Sequence, residues 1–543
     1  MVGILALYPN VKNPYRDLTL LVGDSPVLAH ALSGIGALHY ALLANGDFSS
    51  IPWALNDTGM AGGSLQRQGA RLTTNNDSKM EVRPVPKAYE HFLLFKQRAL
   101  RQLSHDLEDP VMQNDDRTVA AIIALALMDA VESGSGAWKY HLEGAKNLLK
   151  RRETESISSS SVVERNNNGK KNSKSRGLVI EGLDQFVIEG CLLFEIMGST
   201  LARPGTLSKP FYTTSSPAAL KRLEQTSFVG CPAYLLEAIL FVHAQWHSKF
   251  EDSSSSSSSV TAPTVDLDSP QSSTASTEGV EPQVRTPSML LEHIRAFDAA
   301  AWAESMQTFH FLPDLSARIA LGSAYKSAVY LYASRVLCHQ RSSSYQTRSS
   351  PSSPSFIPSP PDYDDMAVPS DRRATSYELI RQLCAVPGAD PHFKCLLWPT
   401  FIAGAESRRR SQRPTIVSLL SGVYYAITSA NVRNAAWVLS VMWQKKDLQR
   451  QQLSRTRREA WLQQQQAQQP PLAYSSPSSL PSPPLPPPHS SYPHDPRHVG
   501  DGIASYGPDV YDDSNGYDDD EDEDDDFDWI QELDNSQIDW LFI

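Results

Sequence analysis

The chain has 543 residues, with 49 basic and 61 acidic side chains and a net charge of −12. Sixteen acidic residues and no Lys or Arg lie in residues 509–543, so the rest of the chain is near +4. This balance lacks the strong basic bias typical of nucleic-acid-binding domains. The five cysteines are scattered, which argues against a disulfide framework and against a structural zinc site.

The sequence also indicates a soluble intracellular protein that does not cross a membrane. No apolar run is seen to reach the roughly 18 residues that a membrane span needs. The N-terminus lacks the basic region and the length of a secretory signal.

Apolar residues at three- and four-residue spacing predict helices along most of the chain. Ser25 and Pro26 suit the cap and first position of a helix over 27–44. A helix over 119–131 is apolar nearly all round, so it should be central. The other predicted helices are 88–107, 138–150, 181–198, 231–250, 287–307, 314–338, 374–384 and 413–462. With no alternating strand pattern, the predicted fold class is all-α, a multi-helix domain with disordered insertions and a disordered acidic C-terminal tail.

Tracts rich in Ser, Pro or Gln interrupt the predicted helices. They cannot bury enough apolar surface to order themselves. Three of them, near 158–173, 252–287 and 342–369, are predicted insertions in loops of the helical domain. The fourth, 463–508, is a predicted linker to the tail.

The tail over 509–543 joins nine consecutive acidic residues, 518–526, to a cluster of aromatic and aliphatic residues. Charge repulsion should keep such a segment extended, with its aromatic side chains exposed, as in an acidic activation segment. The residues predicted to contact coactivators are Phe527, Trp529, Leu533, Trp540, Leu541 and Phe542. Two alternatives stay open: a solubilising tail, and a C-terminus in which residues 540–543 pack back on the helical domain.

Several blocks in order resemble the fungal-specific transcription factor domain of Zn2Cys6 (zinc-cluster) regulators, over roughly residues 10–450. The block at 138–149, Trp-Lys-Tyr-His-Leu-Glu-Gly-Ala-Lys-Asn-Leu-Leu, is the most specific of them. The other matching blocks are 13–16, 25–32, 88–92, 120–127, 396–404 and 438–446.

The resemblance implies an all-α regulatory domain in a nuclear transcription regulator that is not an enzyme. Its partners would be coactivators or other transcription factors, and the family link suggests a homodimer. Family members usually carry six N-terminal cysteines that bind zinc and read DNA, whereas no cysteine precedes Cys191 here. We therefore expect no cofactor in this chain, with zinc only if such a cluster precedes it, and direct DNA binding is left open. The alternative function is a helical scaffold or dimerisation partner of other regulators without an activation role.

Three basic patches, at 150–152, 170–176 and 408–413, are interpreted as helix ends, solvated loops or an import signal. Ser25, with Asp495 and His498 late in the chain, follows the bare outline of a serine esterase. Because Ser25 is explained as a helix cap and nothing would hold His498 near it, no catalytic residue is assigned. No metal ligand is assigned either.

Overall fold

The chain divides into two compact units, Met1–Gln444 together with Phe527–Ile543, and Lys445–Asp526. The computed structural model describes residues 5, 7–8, 13–45, 87–163, 178–203, 205–210, 216–255, 287–307, 315–346, 371–468 and 527–543.

The predicted all-α fold is confirmed, since the described residues form α-helices and short 3-10 helices and no strand. In chain order the α-helices are α1 (Pro14–Asp17), α2 (Pro26–Asn45), α3 (Lys87–Glu108), α4 (Pro110–Gln113), α5 (Asp116–Glu132), α6 (Trp138–Val163), α7 (Leu178–Ser199), α8 (Ser216–Thr226), α9 (Ala233–Ser255), α10 (Pro287–Ala296), α11 (Ala299–Gln307), α12 (Leu315–Gln346), α13 (Arg372–Cys384), α14 (Leu397–Ala405), α15 (Arg413–Ile427), α16 (Ala430–Gln468) and α17 (Trp529–Ser536).

Helix α5 lies at the centre of the first unit, as predicted. The Asp115 carboxylate caps it by accepting a hydrogen bond from the backbone N–H of Arg117 at 2.8 Å. Every side chain from residue 118 to 131 is buried, and α5 contacts α2, α6 and α7. A helix without a polar face must be covered on all sides, which explains this position.

Helix α2 begins at the predicted cap, with the buried Ser25 hydroxyl accepting a hydrogen bond from the backbone N–H of Leu28 at 3.4 Å. The prediction that no apolar run reaches membrane-spanning length is wrong. By length and composition, Pro26–Ala44 could cross a bilayer. Half of this stretch is buried, and α2 packs against α3 and α5, as a core helix of a globular domain does.

Two of the predicted helices are each broken into two helices in the structure. The 287–307 segment breaks before α11 because the Asp298 carboxylate accepts hydrogen bonds from the backbone N–H groups of Ala300 and Ala301. The 413–462 segment breaks at Thr428, which takes the left-handed conformation (φ +49°) and ends α15.

Four helices end later than predicted, inside the low-complexity tracts that follow them. Helices α6, α9, α12 and α16 each continue several residues into the tract that follows them. Ser and Gln are compatible with a helix that has already nucleated, so a low-complexity composition does not end it. Residues 164–173, 256–286, 347–369 and 469–508 of the four tracts, and residues 509–526 of the tail, lie outside the described residues.

The central position of α5 predicts a large difference between two leucine substitutions. Leu125→Ala, at a fully buried site, should lower the free energy of unfolding by about 2–5 kcal/mol because it leaves a cavity. Leu93→Ala on α3, where the side chain is 46% exposed, should change it by less than about 1 kcal/mol. Urea denaturation followed by helical circular dichroism measures both, and equal losses would contradict the placement of α5.

Candidate functional site

The C-terminal segment, defined here as Phe527–Ile543, belongs to the first unit and occupies a groove in it. The Asp528 carboxylate caps α17 by accepting hydrogen bonds from the backbone N–H groups of Ile530 and Gln531. Trp529 and Leu533, one helical turn apart, are buried on the same face of α17. The helix ends at Gln537 in the left-handed conformation (φ +58°).

Trp529 is anchored by a buried carboxylate. Its indole N–H donates to Oε1 of Glu406 at 2.7 Å, and its ring packs edge-on against Phe401. Glu406 also accepts hydrogen bonds from Arg335 at 2.9 Å and from Arg372 at 2.9 Å. Burial alone would raise the pKa of Glu406, but the two guanidinium charges outweigh it and lower the pKa to about 2. The carboxylate is therefore ionised, and the tryptophan completes its set of donors.

A second buried carboxylate, Asp539, anchors the extended end of the segment. Its side chain is paired with Lys139 and accepts hydrogen bonds from the Arg203 backbone N–H and Nε, both at 3.0 Å. The Thr206 hydroxyl donates to the same carboxylate at 3.2 Å. Burial alone would raise the pKa of Asp539, but the hydrogen bonds from Arg203 and Lys139 outweigh burial and lower the pKa to about 2.

Backbone hydrogen bonds attach the same stretch to the turn between α5 and α6. The Leu541 N–H donates to the Gly134 carbonyl at 2.8 Å, and the Gly136 N–H donates to the Asp539 carbonyl at 2.8 Å. The Trp138 indole N–H donates to that Asp539 carbonyl at 3.0 Å. On the other side, the Asn431 amide donates to the Leu541 carbonyl at 2.8 Å. These bonds satisfy polar backbone groups that would otherwise be buried without partners.

Gly134 lies close against the C-terminal segment in this turn. It has φ +68°, and a Cβ added there would lie 2.6 Å from the Leu541 carbonyl oxygen. Only glycine allows both this conformation and this distance.

Aromatic rings fill the space between the two anchors. The rings of Phe401 and Phe542 are 4.8 Å apart between centroids, and Trp540 lies 5.5 Å from Phe542. Two small cavities of about 50 Å³ and 40 Å³ adjoin the segment, one beside α17 and one beside Phe542. Each has room for a few water molecules at most.

The prediction that the aromatic residues of the tail stay exposed is wrong for the described part of the tail. The six predicted coactivator contacts are each no more than 7% exposed: Phe527, Trp529, Leu533, Trp540, Leu541 and Phe542. Charge repulsion solvates carboxylates, but it does not prevent apolar residues that follow them from docking where countercharges are provided. The open alternative of a docked C-terminus therefore describes this segment. Contact with coactivators stays a prediction, since these side chains are covered by the chain itself.

Two of the three predicted basic patches fall on described residues, and both make structural contacts. Arg152 pairs with Asp116 at 2.5 Å, which joins α6 to the start of α5. Arg409 and Arg413 lie over the rings of Tyr377 and Trp443 at 5.6 and 5.4 Å. The Lys170–Arg176 patch lies outside the described residues, as do Asp495 and His498 of the esterase outline.

Apolar side chains line the groove, and the charged groups Glu406 and Asp539 are paired with Arg335, Arg372, Lys139 and Arg203. No cluster of His, Cys, Asp or Glu able to hold a metal occurs among the residues described. A wider groove of about 750 Å³ lies between α10, α11, α12 and α13, with both acidic and basic residues along it.

Sequence reasoning missed the anchors Asp539 and Glu406 and the contact at Gly134. A faint signal exists: Asp539 stands between Ile538 and Trp540, and a lone carboxylate among apolar residues calls for a buried countercharge. Two matching blocks, 138–149 and 396–404, contribute residues that contact the C-terminal segment, namely Trp138, Lys139 and Phe401.

These features define the class: an all-α domain whose core is closed by its own C-terminal segment. The family model described as fungal-specific transcription factor domain matches residues 1–469, and the chain belongs to this family. The predicted resemblance is thereby confirmed. The C-terminal segment lies beyond the matched residues, although it packs among them.

The chain is similar to the acriflavine sensitivity control protein acr-2 of Neurospora crassa, with 25% identity over 398 residues. The alignment covers 72% of this chain and 56% of that relative, so the chain spans little more than half of the relative's length. No solved structure matches the chain.

Gly134 and Gly136 provide a matched test of docking. Both have positive φ, so an added side chain strains both by about 1 kcal/mol, but open space surrounds only Gly136. Gly134→Ala should displace the C-terminal segment, and Gly136→Ala should not. Carboxypeptidase digestion of the intact chain reads this out, with rapid release of the last residues expected from Gly134→Ala alone. Equal digestion of both variants would contradict the contact.

Asp539→Asn should destabilise the first unit by about 3–5 kcal/mol at neutral pH, because Lys139 and Arg203 lose their shared carboxylate. Asp371→Asn is the control, since it removes a half-exposed ion pair with Arg295 and should cost less than about 1 kcal/mol. Thermal denaturation of both variants gives the comparison.

The two anchors also predict acid sensitivity. The folded pKa values of Asp539 and Glu406 lie below the unfolded values near 4, so their stabilisation is complete above about pH 5. It is lost as pH falls from 5 towards 2. Asp539→Asn should flatten this part of the plot of unfolding free energy against pH. An unchanged slope would show that the pKa of Asp539 is not lowered in the folded state.

Proposed function

We propose that this chain regulates transcription in a fungal nucleus through contacts with other proteins. The observation that carries the proposal is its membership of the fungal-specific transcription factor domain family over residues 1–469. The all-α architecture, with a groove that binds a peptide segment of the chain itself, supports a role in binding.

We further propose that residues 509–543 act as an activation segment, which the acidic run at 518–526 followed by aromatic residues supports. The six aromatic and aliphatic contacts are buried in the docked state. A coactivator that used them would have to compete with the groove for the segment. Activation would then depend on the fraction of chains in which the segment is released.

One observation favours a second candidate function, a scaffold for other regulators without an activation role. The C-terminal segment supplies core side chains and two anchored contacts, which is a sufficient structural reason for its aromatic residues. In that case the segment would stabilise the domain and nothing more.

The curated relative is named for control of acriflavine sensitivity. Control of acriflavine sensitivity is therefore the phenotype that we propose for this chain. Growth of a deletion strain on acriflavine, compared with growth without it, measures that phenotype.

A reporter assay separates the two candidates. Residues 509–543 fused to a foreign DNA-binding domain should activate transcription, and replacement of the six contacts by Ala should abolish the activity. In the full-length chain fused to the same domain, Gly134→Ala should raise activation several-fold over Gly136→Ala, because it releases the segment. An inactive fusion, or one indifferent to the six substitutions, would rule out activation through these residues and leave the scaffold role.

A further inference from the structure

The end of helix α16 forms a basic surface that the function proposed above does not use. We define the basic helix as residues 448–462, which lie in the second unit. It carries four arginines, Arg450, Arg455, Arg457 and Arg458, against one carboxylate, Glu459. All side chains from 451 to 462 are exposed.

The apolar residues of the basic helix do not form a docking face. Leu448, Leu453, Trp461 and Leu462 are 45–55% exposed. At about 100° per residue they point in different directions around the axis. A coiled-coil partner or a membrane surface requires one continuous apolar stripe, so neither fits this helix. Its stability comes from good helix formers such as Gln, Arg, Leu and Ala.

The cations are distributed around the helix. Arg455 and Arg457 lie on nearly opposite sides, and Arg458 lies between them. A flat anionic surface would meet only part of this set. The major groove of B-DNA admits an α-helix and has a phosphate backbone along each wall, so it places anions on both sides at once. A helix of 15 residues is about 22 Å long, which suits one passage through that groove.

We propose that the basic helix binds double-stranded DNA, with Arg455, Arg457 and Arg458 contacting phosphates on both sides of the major groove. The choice of DNA among polyanions rests on the proposed role in transcription. The contacts are to phosphate, so they supply affinity without sequence selection. The second unit also contains the acidic run at 518–526, and its nine carboxylates would compete with DNA for the same arginines.

The test uses the full chain and a fluorescent DNA duplex, with anisotropy measured at several salt concentrations. The triple variant Arg455→Gln, Arg457→Gln and Arg458→Gln keeps good helix formers and removes three charges. We expect at least about a tenfold loss of affinity, and a decrease of about 2–3 in the slope of log affinity against log salt concentration. The matched control is Lys87→Gln, Arg98→Gln and Arg101→Gln, three exposed cations of α3. It should change affinity by less than about twofold, since only long-range charge is altered.

A second variant replaces the acidic run by Asn and Gln and should raise affinity for the duplex. Equal losses in the two triple variants would overturn the proposal by showing that only net charge matters. No binding by the full chain and none by the variant without the acidic run would also overturn it. The reporter assay above uses a foreign DNA-binding domain, so its result is independent of this one.

Discussion

The buried carboxylate of Asp539 is the interaction on which the closure of the first unit depends. It joins α6 through Lys139 and the loop after α7 through Arg203, while its backbone carbonyl accepts a hydrogen bond from Trp138. An ionised group in the interior is tolerated only when charge and hydrogen bonds surround it. Since this requirement is met by residues more than 300 positions away in sequence, the carboxylate selects one position for the C-terminal segment.

The second anchor acts on the same segment from the opposite end. Glu406 is held by Arg335 and Arg372, which come from α12 and α13, and it receives the indole N–H of Trp529. Between the anchors, Phe401 and Phe542 bury apolar surface at ordinary ring-packing distance. The segment is thus bound by charge at both ends and by apolar contact in the middle. A structural role and an activation role for its aromatic residues are therefore mutually exclusive at any instant.

The helical fold could be predicted from sequence because its signals are local. A segment that is apolar nearly all round predicts α5, and Ser25 predicts the start of α2, since capping and burial patterns depend on neighbouring residues. The docked C-terminal segment could not be predicted with the same means. The acidic run at 518–526 indicates only that its own carboxylates are solvated. The burial of Trp529 depends on Glu406, which is distant in sequence. The block at 138–149 stands out as a family feature, but the contact of its Lys139 with Asp539 is visible only in the folded chain.

The central claim, that the C-terminal segment is part of the folded domain, is tested most directly by hydrogen exchange of the full chain at neutral pH. The backbone N–H of Leu541 is hydrogen-bonded to the Gly134 carbonyl and buried, so its exchange should be as slow as that of amides in α5. Protection across the peptide from 527 to 543 is the predicted result. Exchange of that peptide at the rate of an unfolded chain, with α5 still protected, would contradict the docked segment and every argument built on it.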